Sequence, residues 1–484
     1  MRFRNRTSNP QESFYWYDIE TTGTSPRHDR IIQLASQRTD EELRPIGEPY
    51  TRLVRVPPEV LLKPEAMLIT KLGPKLLETE GIEEWKLLYE LSDHFAQPQT
   101  CIVGYNNVSF DDEFLRFSMY RNLRPPYEHE WKRGNSRMDL MGILQLTCAL
   151  RPEGMRWPIK DEEPSYTLTD LAQANDLDTS NAHDAHADVD MTLSLARLVK
   201  KNQPKLWQFA CSLRSKETVS GYTTPLRTKP LLHVSKYYSK QRYCIAPVLP
   251  IVVRPNRSNE LIAVDLSSDL SLICSGSIED LRSALFASEE DRDSSQPRPG
   301  IHTITLNKFP MIAPISTLRD EDAHRLNINK KAVRDACAQL SRSQDLPYKL
   351  QQLYEQPPSF EAPQTAEEAL YEGFLPDEDV KDCLEFWRDL DRGLPWRDIA
   401  LSDTRLNDLR HRLKARFAPE EMDDREKSQY RSFVKAQLTS KQQNFGEVRQ
   451  KIQELRTSTQ NSRDIKLLDE LDSHMTELAN TYEL

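Results

Sequence analysis

The chain has 484 residues, 38% hydrophobic and 29% charged, with a formal net charge of −10 at pH 7. That composition is ordinary for a soluble globular protein, and the length predicts two to four domains, because single cores stop growing well before this size. Taken as a sum, −10 argues against binding a polyanion, but a global sum hides local fields.

At the N-terminus, MRFRNRTSNPQ has basic residues and no apolar run behind them, so no signal peptide is expected. The greasiest stretch, YCIAPVLPIVV at 243–253, is too short to span a bilayer and holds two prolines, which predicts no membrane association. Seven cysteines are scattered singly, with no C-x-x-C. They argue against a disulfide framework or structural zinc and for a reducing, cytoplasmic location.

In chain order, SFYWYDI, IIQLASQRT and YTRLVRV read as three successive strands and TCIVGYN as a fourth. Helical patterns follow or intervene: EEWKLLYELSDHFA, FDDEFLRFSMYRN, MDLMGILQLTCAL, TLTDLAQAND and ADVDMTLSLARLVKK. Strands first, then strand–helix alternation, predict an α/β domain with a mixed sheet over residues 12–202. From 203 to 355 short β-like runs (LLHVS, ELIAVDL, HTITLNKFP) are separated by turn clusters such as SEEDRDSSQPRPG, which predicts a small α+β domain. The Pro-rich EQPPSFEAPQTAEE at 355–368 reads as a linker, and 358–484 beyond it is helical with few breakers.

Several acids on these elements invite a common reading. Asp18 and Glu20 are two apart on the first strand and so share a face, with Tyr17 and Ile19 on the other. Two carboxylates side by side on a buried strand repel unless a cation lies between them. The plainer reading is a solvated edge strand, which the aromatic and aliphatic neighbours disfavour. Asp111 opens a helix after a strand, where an acid is very often an N-cap. Beside Asp18 and Glu20 it becomes a third metal-facing acid, with Asp112 as the adjacent alternative. Asp188 lies on an inward helical stripe with Thr192 and Leu195, and a buried acid there needs a partner. His183, five residues earlier, can be aimed independently by the loop.

Between Gln203 and Arg257 there are ten Lys or Arg against one acid, Glu217, a local charge of +9. Trp207, Phe209, Tyr222, Tyr237, Tyr238 and Tyr243 are interleaved with them. A basic track with stacking rings suits sequence-tolerant single-strand binding; a solvated basic face over core aromatics is the plainer reading.

The ordered motifs D-x-E (Asp18, Glu20), N-x-x-F-D (Asn107 to Asp111) and H-x-x-x-x-D (His183 to Asp188) resemble those of the DEDDh exonuclease superfamily. GYNNVSFDDEF, YRNLRPPY, NSRMDL, ALRPEG and SNAHDAHADV, with KPLLHVS, LNKFP and TLRDEDAHRLNINK downstream, resemble the bacterial exodeoxyribonuclease I family over nearly the whole chain. The resemblance implies a ribonuclease H-like exonuclease domain, then an SH3-like domain and a helical C-terminal domain. It implies 3′→5′ release of 5′-mononucleotides from single-stranded DNA, in repair and recombination.

By the same resemblance, Asp18, Glu20, Asp111 and Asp188 hold two Mg²⁺ ions, with Mn²⁺ as a substitute, and His183 is the general base, a role that suits imidazole. It implies that Arg116, Tyr127 and Trp131 touch the strand and that Tyr166 stacks near its 3′ end. Lys216, Asn259, Asn307 and Lys308 lie further along the DNA path. Gln145 and Thr167 stand where the family carries basic side chains, which weakens phosphate contacts there. The acidic tail of single-stranded DNA-binding protein is an implied partner, with Arg151 and Arg319 as its contacts, and the enzyme is expected to be a monomer. Three rivals remain: an RNA-trimming exonuclease, which would usually be a compact single domain; a catalytically dead DNA-binding scaffold, against which the filled motifs speak; and a zinc hydrolase using His183, His186 and Asp188, which four carboxylates fit less well than magnesium.

Overall fold

The computed structural model describes residues 12–180, 182–286, 298–355 and 362–484. The N-terminal stretch read for a signal peptide, most of the 288–300 turn cluster and residues 356–361 of the linker lie outside the described residues. The chain forms two compact units, one built from residues 1–135, 180–190 and 362–484, the other from 136–179 and 191–361.

In the first unit, strands β1 (Ser13–Thr21), β2 (Ile31–Thr39), β3 (Pro45–Leu53) and β4 (Thr100–Gly104) form a mixed sheet in the order β3-β2-β1-β4. β1 runs antiparallel to β2, with Asp18 opposite Ala35 and Glu20 opposite Gln33, and parallel to β4. β3 starts earlier than the Tyr50 run suggests, because its exposed first half pairs Pro45 with Thr39. Helices α1 (Glu84–Ala96) and α2 (Asp111–Arg121) cover one face, where Leu87, Leu91, Phe95, Phe114 and Leu115 pack on Tyr15, Tyr17 and Ile19. In the second unit, the expected helix from Met138 instead starts at Leu140, since Ser136–Asp139 is a short strand and Asp139 accepts from the Met141 N–H as N-cap. Two short helices, Pro64–Thr70 and Pro74–Glu80, go unread in the sequence, being only seven residues each. Helix α3 (Ala185–Asn202) is the last of the α/β region.

Residues 362–484 are helical and share cores with that sheet and its helices. Val434, Leu438, Ile452, Leu468, Leu471 and Met475 pack with Ile32, Leu61, Leu62 and Met67. Phe386, Trp387, Leu406 and Leu409 pack with Phe117 and Tyr120. At ~25 cal/mol per Å², burial on this scale makes the helices part of the unit's stability.

The second unit carries a five-stranded antiparallel sheet of β5 (Leu231–Val234), β6 (Ile245–Val253), β7 (Glu260–Asp265), β8 (Ile301–Thr305) and β9 (Ile312–Pro314), in the order β8-β7-β6-β5-β9. The greasy 243–253 stretch is its central strand β6, and the register slips beside Pro250, which has no N–H for the ladder. Among the described residues, no helix is long and apolar enough to cross a membrane.

Candidate active site

Alternation along β1 buries Tyr17 and Ile19 and turns Asp18 and Glu20 to the opposite, half-buried face. The β1–β2 register shifts between Glu20 and Thr21, so the acids sit beside a bulge at the strand end. Asp188 comes from the first turn of α3. One carboxylate oxygen each from Asp18, Glu20 and Asp188 lies within 4.8 Å of the others.

Asp111 is buried at the start of α2, and its charge bears on both Asp18 and Glu20. Asp112 is occupied elsewhere. It accepts from the Tyr17 hydroxyl at 2.6 Å and from Asn107 Nδ2 at 3.2 Å. The two adjacent acids therefore face different environments.

Helix α3 is placed by its own cap and by β2. The Asp184 carboxylate accepts from the His186 and Ala187 N–H groups at 3.1 and 3.3 Å, an N-cap geometry. Gln33, opposite Glu20 on β2, donates to Asp184 Oδ2 and accepts from the Ala185 N–H, both at 3.3 Å. Gln33 thus ties the Asp188 helix to the strand pair that carries Asp18 and Glu20. A lone glutamine in a strand gives no such signal in sequence. His183 adopts φ 69°, exposes its side chain, and donates its backbone N–H to Asp188 Oδ1 at 3.2 Å. His186 faces Asp190 at 3.3 Å on the α3 surface.

Crowded carboxylates resist ionisation. Burial first, then Asp111, Asp188 and Glu20, hold Asp18 well above the usual carboxylate range. Burial and the charges of Asp188, Asp111 and Asp184 push Glu20 up to about 8. Asp188 is also raised, mainly by burial, with the His183 N–H opposing the shift. Hard oxygen donors held together against their own repulsion are a fitting donor set for a divalent cation, whose charge would favour the ionised form of each.

The other sequence-selected residues are spread over both units. Arg116 is buried between Glu130, at 2.6 Å, and Glu113, over the Tyr127 ring. Trp131 is 63% exposed, free to meet a flat partner. In the second unit Gln145 and Tyr166 are buried, and Thr167 caps the helix Leu168–Ala174 through the Asp170 N–H. Lys216, Asn307 and Lys308 are exposed and Asn259 is half-buried. Arg151 and Arg319 converge on Asp322, at 3.6 and 2.6 Å, and Arg319 also reaches Glu153 at 2.7 Å.

A ribonuclease H-like sheet with acids at the end of its antiparallel-paired first strand, a helix-start acid and a histidine-linked acid on the closing helix defines a metal-dependent exonuclease. A family model described as Exonuclease matches residues 15–196, that of the Exonuclease I SH3-like domain matches 214–356, and that of the Exonuclease I C-terminal domain matches 364–478. The chain is 33% identical to exodeoxyribonuclease I of Haemophilus influenzae over 95% of this chain and 97% of that one. A crystal structure of Escherichia coli exonuclease I in complex with a dA16 oligonucleotide superposes with TM-score 0.92 at 33% identity, covering 97% and 100% of the two chains. A structure of SSB/exonuclease I in complex with the inhibitor CFAM superposes with TM-score 0.87 at 31% identity, over 97% and 100%. This chain belongs to the exodeoxyribonuclease I family, and it is a nuclease.

Proposed function

We propose that the protein degrades single-stranded DNA from the 3′ end, releasing 5′-mononucleotides. The observation that carries this is the convergence of Asp18, Glu20 and Asp188 within 4.8 Å, with exposed His183 joined to Asp188 through its backbone. Asp18, Glu20 and Asp188, supported by Asp111, would hold two Mg²⁺ ions. When bound, these supply Lewis-acid stabilisation of charge on the scissile phosphate and a water of lowered pKa.

The chain's own residues do the rest. His183 Nε2 or Nδ1 takes the proton of the attacking water, and its exposed ring can pass that proton to solvent. Gln33 and the Asp184 cap hold α3 so that Asp188 and His183 keep a fixed relation to β1. Trp131 offers a ring for a base to stack on, and Tyr127, gripped by Arg116, offers a second aromatic surface. Lys216, Asn307 and Lys308 supply charge and polar contacts to the phosphate backbone, with Asn259 beside them. Gln145 and Thr167 are uncharged, which predicts a flatter salt dependence than basic residues at 145 and 167 would give, and Tyr166 is buried rather than open to a base.

The SSB/exonuclease I structure supports binding of single-stranded DNA-binding protein; we place its acidic tail at Arg151 and Arg319, where it would exchange for Asp322 and Glu153. The working division is a nuclease domain at 12–202, an SH3-like domain at 203–355 and a helical domain at 358–484, in a cytoplasmic monomer serving repair and recombination. The test is to incubate 5′-labelled single-stranded DNA, duplex DNA and RNA with Mg²⁺ or chelator and resolve the products. Mg²⁺-dependent shortening of the single-stranded DNA is expected; degradation of RNA alone would refute the assignment.

A further inference from the structure

The chain leaves β1 one residue after Glu20 and returns to β2 at Ile31. The turn between them, 22–30, is bound on all sides. Thr22 N–H donates to the Arg30 carbonyl at 2.9 Å, and Arg30 N–H donates back to Thr22 Oγ1 at 3.0 Å. Asp29, fully buried, accepts from the Ser25 N–H at 2.8 Å and from Lys63 Nζ at 3.1 Å. A Cβ on Gly23 would come within 2.5 Å of the Asp29 carboxylate, so the turn has no room to relax there.

The outer wall of this turn comes from the C-terminal helical region, more than 300 residues away in sequence. Gln443, 2% exposed, donates Nε2 to the His28 carbonyl at 2.9 Å and accepts on Oε1 from the Leu61 N–H at 3.0 Å. Glu367 pairs with Arg30 at 3.3 Å, and Arg30 itself donates to the His28 and Asp29 carbonyls at 3.2 Å each. One buried amide thus bridges two backbone segments that Lys63 also joins, through its N–H to the Thr22 carbonyl at 3.1 Å, and one of them is the turn next to Glu20. The Asp18–Glu20 strand end carries mutual repulsion, so its geometry depends on what confines it.

We propose that Gln443 is a positioning residue for the metal-binding end of β1: by clamping His28 to Leu61 it fixes the 22–30 turn and, through it, the separation of Glu20 from Asp18 and Asp188. The role rests on the nuclease function proposed above. The C-terminal region is then part of the active-site scaffold as well as of the fold.

The test uses the full-length protein and two variants. Gln443→Met keeps volume and loses both hydrogen bonds. Gln443→Glu keeps the acceptor for Leu61 but sets a carboxylate oxygen against the His28 carbonyl. Two readouts are taken below the melting temperature: kcat and KM on single-stranded DNA, and the Mg²⁺ concentration at half-maximal rise in Tm, which needs no turnover. Supporting-residue losses elsewhere predict that kcat falls by about 10- to 100-fold with KM within about twofold, and that the Mg²⁺ midpoint rises by about tenfold. Should Gln443→Met not fold, Gln443→Glu carries the same expectations. Lowered Tm with kcat and Mg²⁺ midpoint within about twofold of wild type would make Gln443 merely structural and overturn the proposal. If the wild type hydrolyses no DNA, the nuclease assignment fails, and the Mg²⁺ midpoint still decides whether Gln443 positions the site.

Discussion

Glu367 is the residue whose loss the first unit should tolerate least. Its carboxylate is buried, with Arg416 Nη2 at 3.0 Å, Arg30 Nη2 at 3.3 Å and Arg412 Nη1 at 3.9 Å. Arg416 also grips Glu59, whose other oxygen accepts from the Tyr430 hydroxyl at 2.9 Å. All of these side chains but Tyr430 are close to nine-tenths buried or more. Burial alone would raise the Glu367 carboxyl, but Arg30, Arg416 and Arg412 outweigh it and hold it down to about 2. A unit pair ~4 Å apart is worth ~4 kcal/mol at an effective dielectric of ~20. Glu367→Gln removes one anion from three cations that water cannot reach, so the cost should be about 3–5 kcal/mol. Equilibrium urea unfolding followed by circular dichroism reads it directly. The comparison is Asp176→Asn, which breaks the exposed Arg156–Asp176 pair and should cost under ~1 kcal/mol. Because the folded pKa is depressed, the stabilisation is present above the ordinary carboxylate value of 4.5 and is lost as pH falls toward about 2. The variant should lack that acid limb. A Glu367→Gln protein within about 1 kcal/mol of wild type at neutral pH would refute the reasoning, since the arginines would then not depend on this carboxylate.

Three further outcomes follow from the site and the second unit. His183→Ala should lower turnover by about 10²- to 10⁴-fold while single-stranded DNA affinity, measured by fluorescence anisotropy, stays within about twofold. Because Asp18, Glu20 and Asp188 have raised pKa values, protons compete with the cation: Mg²⁺ affinity should fall as pH drops below the Glu20 value of about 8, and calorimetry in buffers of different ionisation enthalpy should detect proton release on binding. His233, buried and pushed down to about 3 by burial and by His302, stays neutral in the fold while the unfolded chain titrates near the ordinary 6.5. Stability should therefore decline from pH 7 to pH 5 by about 2 kcal/mol through this group, and His233→Gln should flatten that decline.

The half of the site that lies on regular structure was legible in the sequence. Two-residue spacing on an apolar strand put Asp18 and Glu20 on one face, and helical spacing put Asp188 beside Thr192 and Leu195, both buried. The choice between Asp111 and Asp112 was not legible, because it turns on the Tyr17 hydroxyl, which reaches Asp112 across 95 positions of sequence. His183 needed a left-handed backbone, a conformation that is uncommon for any non-glycine residue, histidine's modest enrichment there included. Arg116, expected to touch the strand, is instead buried and consumed by Glu113 and Glu130, partners that spacing alone does not reveal. Gln443 and the Arg30–Glu367–Arg416 cluster carried no local signal at all, since their partners meet only when the C-terminal helices share a core with the sheet, and Gln33 carried none because Asp184 and Ala185 reach it only when the start of α3 docks on β2. Where several elements must converge before a contact exists, periodicity and spacing are silent.

The most direct test of the central claim compares wild type with Asp18→Asn on 5′-labelled single-stranded DNA at saturating Mg²⁺, with binding followed in parallel. The wild type should shorten the strand stepwise from its 3′ end. Asp18→Asn should still bind it, with the rate of cleavage lower by about 10³-fold, because a site missing this carboxylate no longer holds the charge that stabilises the scissile phosphate. Asp18→Asn cleaving at the wild-type rate would contradict the account.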